Sequence, residues 1–232
     1  MKQILIGIWI IFSITMYADN ARQQYLMKDY TAAKSSYLAL QEKSPNNFVY
    51  NYNLGSTYFR LENYLLSKFY FLKALKVQPN NKDTKYNLEI VNKNFIDKQF
   101  VFKRYFNHIF ILNIQTISVL LMIITLLVLS TIYNGILENK SKRIQRLGLI
   151  IASTLVILNI LGTIFWITEP DYAIVKPDRV QIYSGPSETQ KPLFFAHIGA
   201  ECKIIKSSSI WTNIQFPNGL KGWVKQKDIL KI

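Results

Sequence analysis

The chain has 232 residues, half of them apolar, with 28 basic against 14 acidic side chains and a single cysteine. That length allows one to three small units, and one cysteine excludes an internal disulfide, so Cys202, in an apolar alternating stretch, is expected as a buried free thiol. The net charge of +14 invites a nucleic-acid reading through phosphate neutralisation, but the lysines are scattered over helix faces, and no nucleic-acid partner is expected.

The first eighteen residues carry Lys2, then the apolar run "ILIGIWIIFSI", then "TMYADN". The run is short for a membrane span and its flanks suit an export signal ending at Ala18. Residues 1–18 are therefore read as a signal peptide.

Residues 19–104 form the next region, and its centre reads "FVYNYNLGSTYFRLENYLLSKFYFLKALKVQPN" from Phe48 to Asn80. Small residues at Gly55, Ser67 and Ala74 let two antiparallel helices approach, while Leu54, Tyr58 and Phe71 fill the space between them. Pro79 closes the unit. Stepping back 34 residues puts Ala21, Ala33, Tyr37 and Leu40 under Gly55, Ser67, Phe71 and Ala74. The same step puts Pro45-Asn46-Asn47 under Pro79-Asn80-Asn81. Stepping forward puts Tyr86-Asn87-Leu88 under Tyr52-Asn53-Leu54. The pattern and its period resemble the tetratricopeptide repeat. In such a repeat the first helix lines a concave groove, which would place Tyr52, Ser56, Phe59 and Arg60 there, with Tyr86 and Ile90 one helix further on. Tyrosine and arginine often dominate contact energies, so these six are the candidate partner-binding residues of the repeats.

A segment from Phe100 to Leu112 interleaves aromatic rings with Lys103, Arg104 and His108, as a membrane interface would. His108 is read as interfacial, not as a metal ligand. Two uncharged stretches follow, and residues 112–134 and 147–168 are each long enough, as helices, to cross a hydrocarbon core of roughly 30 Å. Two transmembrane helices are expected. Residues 135–146 between them carry Lys140, Lys142, Arg143 and Arg146 against Glu138, which keeps that loop cytoplasmic. With an export signal in front, the repeats and the tail would then lie in the periplasm, and the protein in the bacterial inner membrane as a multi-pass chain.

From 172 to 232 the period changes to two. Runs of β-branched and aromatic residues alternate with polar ones, punctuated by Gly185-Pro186, Gly199, Pro217-Asn218-Gly219 and Gly222. This is a small all-β unit of about 60 residues that must close its sheet to bury enough surface. The order of its strands and turns resembles the bacterial SH3-like fold. Trp223 is expected in its core, and Trp211 is a further candidate contact residue. The fold class read from the whole chain is thus multidomain α + β: tetratricopeptide-repeat hairpins, two transmembrane helices and a small SH3-like barrel.

No Gly-rich phosphate loop, Gly-x-Ser-x-Gly elbow or zinc-type cysteine–histidine spacing is present in the sequence. No enzyme activity, cofactor or metal is expected. The order of parts resembles the BatE-like proteins of aerotolerance operons. That resemblance implies a scaffold assembling with von Willebrand factor type A membrane proteins in stress or oxygen tolerance. The alternative is an accessory or sensor module that binds a cell-wall fragment or small envelope ligand through the SH3-like part.

Overall fold

The 34-residue period is written into the backbone of the helical region. The computed structural model describes residues 19–96, 114–137, 142–167 and 171–232. The signal read at 1–18, the segment with Lys98, Lys103, Arg104 and His108, and the loop residue Lys140 lie outside them. Helix α1 is described over 19–26. It is followed by α2 (Tyr30–Lys43), α3 (Phe48–Arg60), α4 (Tyr64–Val77) and α5 (Lys82–Asn92). Asp29 and Asn63 cap α2 and α4, and Asn47 and Asn81 cap α3 and α5, each side chain accepting from a backbone N–H in the first turn. Each pair lies one period apart. So do Lys28 and Glu62, at φ 65° and 58°, the described non-glycine residues in the left-handed region.

The small residues do what their spacing requires. A Cβ built at Gly55 would stand 2.6 Å from the Phe71 ring, and the Ser67 hydroxyl donates to the Gly55 carbonyl at 2.8 Å. Ala21, Ala33, Tyr37, Leu40, Leu54 and Ala74 are all buried. Residues α1 to α4 thus make two complete helical hairpins, and α5 opens a third.

The tail forms β1 (Tyr172–Val175), β2 (Arg179–Tyr183), β3 (Pro192–His197), β4 (Glu201–Ser207), β5 (Trp211–Gln215), β6 (Lys221–Lys225) and β7 (Ile229–Lys231). They lie in one antiparallel sheet in the order β3-β2-β6-β5-β4-β1-β7. No ladder among the described residues joins β3 to β7, so the expected closure of the sheet on itself is not what completes its burial. The sheet curls over a core of Val175, Ile182, Cys202, Ile214, Phe216 and Val224. It also shares a second core with the helices: Ile174 and Ile232 pack with Phe71, Leu72, Leu75, Leu88 and Val91.

Strand β1 shows how. Ala173 and Val175 point into the sheet core while Ile174, between them, points to the helices, so β1 is buried on both faces. Ile174 lies opposite Glu201 in the register, which sends the Glu201 side chain to the helical side as well. Residues 19–96 and 171–232 accordingly fall within one compact unit, and 114–137 and 142–167 within another.

In that second unit, α6 (Ile114–Leu137) packs against α7 (Lys142–Ile167), with Thr125 and Ala152 buried and Leu127 and Tyr133 exposed. The expectation of two transmembrane helices is corrected here: no helix among the described residues is long and apolar enough to cross a membrane. The multi-pass inner-membrane location, and the periplasmic placing that rested on it, is corrected with it. The fold class is helical repeat pairs with a seven-stranded antiparallel sheet.

Candidate functional site

Tyr52, Ser56, Phe59 and Arg60 stand at i, i+4, i+7 and i+8 on α3, so they share one helix face. Tyr52 is half-buried. Its ring stacks on Phe48 with centroids 5.9 Å apart and meets Phe71 edge-on at 5.8 Å. Its hydroxyl accepts from Asn87 Nδ2 at 3.0 Å, tying α3 to α5. The Ser56 hydroxyl donates back to the Tyr52 carbonyl at 3.2 Å. Phe59 is half-buried against the shared core and edge-on to Tyr64 at 5.8 Å. Arg60 is exposed at the end of the row. A hydrogen bond with Tyr25 of α1 holds its guanidinium above its usual range.

The two α5 residues complete the surface. Tyr86 is 65% exposed, and Ile90 is half-buried one turn on. Tyr86 adjoins Asn87, the α5 residue bonded to Tyr52, so the α3 row and this part of α5 make a band, with Tyr25 of α1 at its margin. Asn87 is the member that sequence reasoning missed, although its place one period after Asn53 could have signalled it. The band offers aromatic faces, hydroxyls, an amide and one cation, a surface suited to contact. Among the described residues no group of three or more His, Cys, Asp or Glu side chains gathers as a metal site would.

Trp211 is not part of this band. It lies on β5, buried, with its ring edge-on to Tyr183 at 5.7 Å. Trp223, expected in the sheet core, is only half-buried. Its neighbours Gly222 and Val224 are the buried ones, and the period of two puts Trp223 on the other face. At Gly222 a Cβ would stand 2.3 Å from Ile182, so the chain passes too close there for any side chain.

The feature least visible in the sequence is the contact between helices and sheet. Lys68, on α4, is fully buried, and its ammonium stands 3.1 Å from Glu201, itself 6% exposed. The same ammonium lies 5.1 Å from the centroid of the Phe95 ring, and that ring fills the space a Cβ would take at Gly199. Nearby, Lys76 Nζ donates to the Ile232 carbonyl at 3.0 Å. Cys202, next to Glu201, is a buried free thiol. Burial pushes its pKa up to about 12, and the Glu201 carboxylate adds to the rise.

Compared with known proteins, residues 49–81 match the tetratricopeptide repeat family. The chain therefore contains such a repeat, a module associated with protein–protein contact and not with catalysis. Among curated proteins, none matches the chain. A solved structure of an NlpC/P60 family protein from Bacillus cereus ATCC 10987 is similar at 23% identity, over 28% of this chain and 21% of that one, with a TM-score of 0.23. At that level the likeness carries no argument about fold or function.

Proposed function

We propose that this protein is a non-enzymatic scaffold that holds partner proteins against the α3–α5 band. The observation that carries the reading is the tetratricopeptide repeat at 49–81, with Arg60 exposed on α3 and Tyr86 exposed on α5. Exposed Tyr and Arg bring large contact area or a multi-donor fork at modest entropic cost. The finer reading is that the chain is BatE-like, that its β unit is a bacterial SH3-like module, and that its partners are von Willebrand factor type A proteins acting in stress or oxygen tolerance. The order of helical repeats before a small antiparallel sheet supports it.

Arg60→Ala with Tyr86→Ala tests the band without touching the core, unlike Tyr52, which packs on Phe71. Co-purification with the double variant, at normal protein level and melting temperature, should lose a von Willebrand factor type A partner. A partner list identical to that of the unaltered protein would remove the band from the mechanism.

A further inference from the structure

The β unit carries a cleft that neither the sheet core nor the repeat band uses. It has a volume of about 180 Å³ and is lined by Val180, Gln181, Tyr183, Glu188, Lys225, Lys227 and Asp228. That is room for several waters or one small molecule.

Two short elements place its charges. The loop between β2 and β3 is drawn tight by Ser184 N–H to the Lys191 carbonyl at 2.9 Å and Ser187 N–H to the Gly185 carbonyl at 2.9 Å. The Ser187 hydroxyl also lies 2.8 Å from that of Thr189. Glu188 sits between these two and is ion-paired with Lys225 of β6. Across the cleft the 3-10 turn Gln226–Asp228 presents Lys227 and Asp228, held by the Lys176 N–H donating to the Asp228 carbonyl at 2.8 Å. Lys225 and Lys227 both hold the Glu188 carboxyl below its usual range, the Lys225 hydrogen bond first. The apolar wall is Val180 and the Tyr183 ring, the ring braced from behind by Trp211 at 5.7 Å. Trp211, singled out in the sequence, thus acts on this site through Tyr183.

Two ammonium groups and two carboxylates around one small space set the ligand's chemistry. A purely anionic ligand meets Glu188 and Asp228, and a purely cationic one meets Lys225 and Lys227. A ligand carrying both charges a few bonds apart satisfies both sides. We propose that the cleft binds a small zwitterion, an amino acid or dipeptide with both termini free. Its carboxylate rests on Lys225 and Lys227, its ammonium on Glu188 and Asp228, and its aliphatic part on Tyr183. The Lys225–Glu188 pair is 31% and 59% exposed, and such surface pairs are held weakly, so the ligand carboxylate can take the place of Glu188 on Lys225. This site is independent of the repeat band, and either can fail without the other.

The test is calorimetric titration of the full chain with dialanine, N-acetyl-dialanine and dialanine amide. Dialanine should bind saturably, and blocking either terminus should weaken binding at least tenfold. Lys227→Ala and Asp228→Asn should each cost a similar factor, with the melting temperature unchanged. No saturable heat from dialanine up to its solubility limit would overturn the proposal. So would N-acetyl-dialanine binding as tightly as dialanine, which would mark a plain anion site.

Discussion

Lys68 and Glu201 meet at 3.1 Å with 0% and 6% of their side chains exposed, whereas Lys225 and Glu188 are paired at 31% and 59%. The chemistry is the same and the surroundings decide the consequence. The buried pair was taken out of water on both sides when the sheet met the helices. Its attraction must offset desolvation, and losing one partner leaves a bare charge inside. The surface pair keeps its water and is worth little to the fold. The first pair therefore belongs to the architecture, and the second is free to be exchanged.

The largest effect should come from breaking the buried pair on one side. Glu201→Gln leaves the Lys68 charge without its carboxylate and should destabilise by about 3–5 kcal/mol, read as a lower denaturant midpoint. Lys68→Met together with Glu201→Leu should recover most of that loss, because two apolar groups of similar size need no desolvation. If Glu201→Gln melts like the unaltered protein, the junction between helices and sheet is not integral to the fold.

Two glycines sharpen the same contrast at the next level. Gly199 and Gly219 both have positive φ, 75° and 88°, so alanine at either costs about 1–2 kcal/mol of backbone strain. Only Gly199 also faces Phe95, at 2.5 Å, while nothing lies within 4 Å of Gly219. Gly199→Ala should therefore lower the melting temperature more than Gly219→Ala. Equal losses would mean that Phe95 yields freely and the junction is loosely packed.

Cys202 reports on the junction chemically. Its folded pKa of about 12 lies above the ordinary thiol value of 9.0, so the protonated thiol favours the fold. That contribution is complete below about pH 9 and is lost as pH rises toward about 12, and stability should decline across that window. At neutral pH the thiol should resist alkylation in the unaltered protein and become labelled in Glu201→Gln. Rapid labelling of both would contradict its burial.

The smallest effect belongs to the surface pair. Glu188→Gln should leave the melting temperature where it is, since both partners are solvated. A clear drop would erase the distinction between the two pairs.

The repeats were legible in the sequence because each of their devices has a residue type attached. Gly55, Ser67 and Ala74 mark close approach, and Asn47 and Asn81 mark helix starts. The β-strands were legible through their period of two and the turn at Gly219. The junction was not, because no local pattern separates Lys68 from the solvated lysines around it. Its burial follows from Ile174 and Glu201, which lie more than a hundred residues away in sequence and side by side in the β1–β4 register. The apolar stretches of α6 and α7 misled for a related reason: hydrophobicity along a chain reports a preference for company without saying which. The contact band fell between these cases. Its helix spacing was readable, but the Asn87–Tyr52 bond across α3 and α5 was not.

The left-handed residues Lys28 and Glu62 stand directly before the caps Asp29 and Asn63, and the Pro-Asn-Asn sequence closes both hairpins. Every seam of the array is therefore chemically interchangeable with the next. A tandem duplication of residues 48–81 would join Asn81 to a second Phe48 with a helix-starting cap already in place, and no junction residue would be foreign to its neighbours. An array built this way can lengthen through a single recombination event without inventing a linker, and its outermost hairpins keep their old edges while the new copy enters between them.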